Sequence, residues 1–125
     1  MYYNLLSQIK NAIGARKEKI MLPFSRMDLS VATVLVEGGY LKSVETEMVA
    51  GKKTLVIRLP RSMKDAMHDF RLISKPSRHF YKDYRSLNSV KQGYGIAVLT
   101  TSKGIMSNKE AKKQKIGGEY LFEIW

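Results

Sequence analysis

No cysteine occurs in the 125 residues. That absence excludes disulfides, thiolate zinc sites and cysteine nucleophiles together, and it suits a reducing compartment. Histidine is scarce as well. His68 and His79 are far apart with no flanking ligand pattern, so His68 beside Asp69 reads as an exposed polar pair rather than an oriented catalytic imidazole. Glu119 and Glu123 share a strand face only loosely, and no nucleophile elbow or phosphate-cradling loop of the Walker type occurs. Gly93-Tyr94-Gly95 is a turn, not a dinucleotide fingerprint. No apolar run approaches the roughly 20 residues of a membrane span. The opening MYYNLLSQIK lacks the basic-then-apolar layout of a secretion signal, so a cytoplasmic location is expected. No catalytic activity, cofactor, metal or small-molecule substrate is expected either.

Negative charge is also in deficit. Only 11 Asp and Glu stand against 22 Lys and Arg, a net charge of +11, which favours a polyanionic partner. The surplus is uneven. Residues 75–115 carry ten basic side chains against Asp83 and Glu110, whereas residues 25–74 carry eight basic and six acidic ones. The C-terminal half is therefore expected to face the anion. DNA is the main physical rival to RNA as that partner, but no helix reads as long, basic and exposed enough for a major groove. The basic stretch 108–115 has almost no apolar face with which to lie on a membrane.

Hydrophobic residues make up 44% of the chain, a globular proportion. Two halves of about 60 residues would each be marginal alone and would lean on each other or on a partner. Leu5, Leu6, Ile9 and Ile13 predict a helix over 3–15, and Lys19–Pro23 a short strand. Ser25, with Asp28 three residues on, predicts the N-cap of a second helix, with Val31, Ala32, Val34 and Leu35 as its apolar face and Gly38-Gly39 as its stop. Residues 40–48 and 54–59 read as strands joined by the turn Ala50-Gly51-Lys52-Lys53. Pro60–Asp69 reads as a polar connector containing the domain boundary. Beyond it come strands at 70–74, 78–82 and 95–101, a helical turn over Leu87–Gln92, and a capping box at Ser107–Glu110 opening a basic helix that Gly117-Gly118 stops. In the final strand, Tyr120, Phe122 and Ile124 alternate against Leu121, Glu123 and Trp125. Met21, Met27 and Met48 are expected to fill core space. The expected fold is α+β: an N-terminal α-β-α-β-β domain, residues 1–65, packed against a mostly β C-terminal domain, residues 66–125, with one short helix.

The most specific stretch is 93–119. A strand ends in Thr100-Thr101-Ser102-Lys103-Gly104, a capped helix follows, and Gly117-Gly118-Glu119 closes the segment. Such a loop concentrates hydroxyls, backbone N–H groups and one lysine, which suits phosphate oxygens and ribose 2′-hydroxyls. The competing reading is that Thr100, Thr101 and Ser102 only satisfy a turn.

Thr-Thr-Ser-Lys-Gly-Ile-Met, preceded by Gly-Tyr-Gly-Ile-Ala-Val-Leu and followed by Gly-Gly-Glu, resembles ribosomal protein eight of the bacterial small subunit. The resemblance spans nearly the whole chain: Asn4–Asn11 is similar to the family's opening helix, and Ser74-Lys75-Pro76 and Tyr81 to its central turn. It implies a two-domain protein that binds the central domain of 16S ribosomal RNA early in assembly, mainly through its C-terminal domain, among neighbouring small-subunit proteins. In some bacteria the family also represses its own operon's messenger RNA. Carried over by residue, it implies RNA contacts at Thr100, Thr101, Ser102, Lys103 and Gly104, at Gly117, Gly118 and Glu119, at Tyr81, at Lys75 and Pro76, and at Lys10 and Asn11 of the first helix. Ser77, His79, Asn88 and Phe122 depart from the family pattern, which bears on the shape of the 76–92 turn. A basic DNA-binding module, or an RNA-binding one outside the ribosome, is the alternative.

Overall fold

The computed structural model describes residues 2–60, 67–74, 77–87 and 95–125. The expected boundary at 65/66, Lys75, Pro76, Asn88 and most of the expected 87–92 turn lie outside the described residues. The chain divides into two units, Met1–Met67 and His68–Trp125.

In the first unit the described elements run α1 (Tyr2–Gly14), β1 (Lys19–Pro23), α2 (Arg26–Glu37), β2 (Ser43–Val49) and β3 (Lys52–Arg58). Helix α1 buries Leu5, Leu6, Ile9 and Ala12. Ala12 thus takes the place expected of Ile13, which is only half-buried. β3 lies between β1 and β2, antiparallel to both. That central place explains why Leu55, Val56 and Ile57 are buried in succession instead of alternating.

Ser25 stands at the N-cap of α2 in extended backbone, but its side chain makes no cap hydrogen bond. Asp28 is buried instead of facing water. The helix ends as the glycine pair predicts. Gly39 has φ +85, and the N–H groups of Gly39 and Tyr40 return to the carbonyls of Val36 and Leu35, the double closure of a left-handed helix end. The β2–β3 turn is shorter than expected. Ala50 and Gly51 alone make it, both at positive φ, and Lys52 already pairs with Val49. A mirror-image two-residue turn matches the right-handed twist of the strands it joins. Met21 and Met48 are not core fillers: both are exposed, Met48 by 68%.

The second unit contains β4 (Phe70–Leu72), β5 (Tyr81–Lys82), a single 3-10 turn at Tyr84–Ser86, β6 (Ile96–Thr101), β7 (Gly104–Ser107), α3 (Asn108–Lys113) and β8 (Gly118–Ile124). The sheet order is β4-β8-β6-β7, with β5 also on β8. β7 is a strand where the sequence predicts only loop. The expected alternation in β8 also breaks. Val98 pairs with Phe122, but Leu99 pairs with Tyr120, so Leu121 is an inserted bulge residue. A bulge flips facing by one residue, and Tyr120 and Phe122 point to opposite faces. Tyr120 joins Leu87, Ala97, Leu99, Met106 and Ala111 in the core beneath α3. The Leu121 carbonyl accepts from the N–H groups of Ile73 and Ser74. His68 and Asp69 do not form a free connector pair, because both backbone N–H groups donate to the Trp125 carbonyl.

α3 opens on the expected cap, with Ser107 Oγ accepting from the Glu110 N–H. Asn108 adds an unexpected tie: its buried Oδ1 accepts from the Ala97 N–H at 3.1 Å. Gly117-Gly118 does not stop this helix. It ends at Lys113, and Lys115, at φ 57, supplies the left-handed residue while Ile116 N–H returns to Ala111.

Burial, and secondarily the charge of Glu123, push the Tyr120 phenol up to about 12. A phenol held neutral by the fold stabilises it fully below the unfolded value near 10, and that contribution is lost as pH rises through 10 towards 12. The urea midpoint of the wild type should therefore fall further between pH 9 and 12 than that of Tyr120→Phe. Some fall should remain in the variant, because burial also raises the Tyr40 phenol. Identical pH profiles for the two proteins would refute the assignment.

Candidate nucleic-acid interface

Cross-strand pairing builds the site. Tyr81 on β5 pairs with Glu119 on β8, which pairs with Thr100 on β6, which pairs with Ile105 on β7. Directly opposed residues share a face, so these four form one row across four strands. At the end of β6 the chain turns back through Ser102 and Lys103 alone, closing the pair Thr101–Gly104. Thr101 holds this turn: its Oγ1 donates to the Gly104 carbonyl at 2.8 Å and accepts from the Lys103 N–H at 3.2 Å. The Thr101 hydroxyl is thus engaged within the turn itself. Ser102 and Lys103 stand exposed at the tip. Gly104, at φ +113, sits where a Cβ would be strained.

Gly117 and Gly118 are required by close approach, not by conformation. A Cβ on Gly118 would lie 2.2 Å from the Thr100 carbonyl oxygen, and one on Gly117 would lie 2.5 Å from that of Lys82. Their bareness lets the start of β8 seat between β5 and β6, which brings Glu119 into the row.

Tyr81 is 70% exposed, an aromatic surface on which a base could stack. Its strand is held from behind by Ser74, whose buried Oγ accepts from the Phe80 N–H and donates to the Phe80 carbonyl. Lys82 turns the other way and places its Nζ 4.8 Å from the centre of the Tyr120 ring. It therefore adds little to the row's face. Arg78, Arg85, Lys103, Lys109, Lys112, Lys113 and Lys115 are exposed on this unit.

The structure thus brings Tyr81, Thr100, Thr101, Gly104, Gly118 and Glu119 onto adjoining strands, with Ser102 and Lys103 in the β6–β7 turn and Gly117 just before β8. Lys10 and Asn11 lie on the exposed side of α1 in the first unit. Sequence reasoning missed His79, whose Nδ1 lies 2.9 Å from Glu119 Oε2. It also missed the exposed Phe80. The aromatic pair Phe80-Tyr81 set between Arg78-His79 and Lys82 was the available signal.

Among the described residues no three His, Cys, Asp or Glu side chains gather as a metal set, and no helix is long and apolar enough to cross a membrane. The row offers hydroxyls, one largely buried carboxylate, an aromatic face and nearby cations, which suits hydrogen bonding and stacking with a nucleotide.

Known relatives match nearly the whole chain. The chain is 38% identical over 124 residues to the small ribosomal subunit protein uS8 of Anaeromyxobacter sp. (strain K), covering 98% of this chain and 94% of that protein. It is 38% identical over 125 residues to the uS8 protein of Prochlorococcus marinus, with the same coverage of both chains. It is 35% identical over 123 residues to that of Mycoplasmopsis agalactiae, again covering 98% and 94%. The family described as ribosomal protein S8 matches residues 2–125, and the chain belongs to that family.

Proposed function

We propose that this protein is a non-catalytic constituent of the small ribosomal subunit that binds the central domain of 16S ribosomal RNA directly and supports subunit assembly in the cytoplasm. Its neighbours there are other small-subunit proteins, and its own operon's messenger RNA is a second target. The observation that carries this reading is the exposed Ser102-Lys103 tip, pinned by Thr101 beside the Tyr81–Glu119–Thr100 row. Family membership supports it, and so does the basic excess of residues 75–115. Lys75, Pro76, Lys10 and Asn11 are proposed as further RNA contacts.

The pinned tip makes the test specific. A hydroxyl held in place forfeits little entropy on binding, and one hydrogen bond contributes about 0.5–1.5 kcal/mol net. Ser102→Ala should weaken binding to a central-domain helix by a few-fold to roughly tenfold. The loss should be larger than for a scrambled duplex, with the salt dependence and melting temperature unchanged. Lys103→Ala should flatten the salt slope by roughly one unit. Equal effects of Ser102→Ala on both RNAs, or none on either, would reduce the tip to a structural turn.

A further inference from the structure

A carboxylate in the middle of this row needs a physical reason. Glu119 faces a ligand that, as an RNA, is a polyanion, and its side chain is only 17% exposed. An unrestrained glutamate would swing towards water and repel phosphate oxygens. Here it is restrained. His79 lies two residues ahead of Tyr81, on the segment leading into β5, and its Nδ1 sits 2.9 Å from Glu119 Oε2 across 40 residues of sequence. An ionised carboxylate can only accept, so the imidazole N–H donates. The His79 ring is itself 57% exposed, and its bond reaches inward to the row instead of supporting the core.

We propose that His79 is a positioning residue. It fixes Glu119 so that the carboxylate presents an acceptor to a hydrogen-bond donor of the bound RNA, a ribose 2′-hydroxyl or an exocyclic base amino group, beside the Tyr81 face. The register of the row supports this: Tyr81 and Thr100 flank Glu119 directly, so their side chains share its face. RNA is read at unstacked bases and at 2′-hydroxyls by such acceptors, and phosphate is not. The role separates His79 and Glu119 from the lysines: they select, and the lysines attract.

The inference rests on the RNA-binding reading, and the wild-type measurement tests that reading first. Affinity for a central-domain RNA helix is measured at one salt concentration for wild type, His79→Ala, His79→Asn, Glu119→Ala and the double variant His79→Ala/Glu119→Ala, with melting temperatures alongside. Asparagine carries an N–H donor on Cγ, where imidazole carries Nδ1. His79→Ala should weaken binding about three- to tenfold, the effect of one hydrogen bond. His79→Asn should stay within about twofold of wild type, since the donor is kept. Glu119→Ala should weaken binding, and adding His79→Ala to it should change nothing further. No variant should shift the melting temperature, which separates positioning from folding. Wild-type affinity in His79→Ala, equal weakness in His79→Asn, or an undiminished His79→Ala loss on the Glu119→Ala background would each overturn the proposal. Tighter binding by Glu119→Ala would overturn it too, because the carboxylate would then only repel. If the wild type does not bind the RNA, the parent reading fails and takes this one with it.

Discussion

Replacing Gly118 by alanine is expected to destabilise the sheet of the second unit strongly. The added Cβ would meet the Thr100 carbonyl oxygen at 2.2 Å, its carbon at 3.0 Å and Thr101 Cγ2 at 3.1 Å. Two of the three are backbone atoms of the paired central strand, so no side-chain rotation relieves the contact. β8 must move off β6 or the hairpin must open. Overpacking that side chains can absorb costs about 1–3 kcal/mol. A clash with backbone belongs at or above the top of that range, about 3 kcal/mol or more, a drop in melting temperature of roughly 10 °C. Gly117→Ala should behave alike, since its Cβ would lie 2.5 Å from the Lys82 carbonyl oxygen and 2.9 Å from Asp83 Cα. Gly14→Ala is the control. Nothing lies within 4 Å of its Cβ, and exchanging glycine for alanine in a helix favours the helix by about 0.5–1 kcal/mol. Urea unfolding of the three variants decides the matter. A Gly118→Ala protein as stable as wild type would show that the glycine pair is not there to seat β8.

Salt should have the other large effect. Suppose about four of the exposed cations on the second unit engage phosphates. Each contributes about 0.9 to the slope of log affinity against log salt. RNA affinity should then fall on the order of 10²-fold between about 50 and 200 mM salt. Filter binding across that range measures it. A slope shallower than about two would leave too few phosphate contacts for the proposed interface. The Lys82 ammonium should contribute little, because it sits over the Tyr120 ring. Lys82→Gln should leave the slope almost unchanged, whereas Lys103→Gln should reduce it.

Local pattern carried much of this protein. The period of Leu5, Leu6 and Ile9, the glycine stop after α2 and the Ser107 cap each involve residues within one or two turns of one another, and such signals survive folding. The same holds for the hydroxyl-rich stretch at 100–104 and for Tyr81, which motif and resemblance picked out and the sheet then brought onto adjoining strands. Composition by itself excluded disulfides and thiolate sites, and the net charge of +11 pointed to an anionic partner.

Tertiary pairing decided the rest. β7 has only four residues and no alternation of its own, and it becomes a strand because Thr101 pins a two-residue turn against β6. The Leu121 bulge reverses the facing of Tyr120 relative to Phe122, because register with Val98 and Leu99 outweighs the period of β8. Gly117-Gly118 looked like a helix stop. It proved to be a spacer, a role defined by carbonyls 18 and 35 residues earlier in the chain. His79 looked only like a departure from the family pattern until β5 docked beside β8 and set it on Glu119. In each case the controlling contact is distant in sequence, so no local period encodes it, and only the folded chain brings the partners within bonding distance.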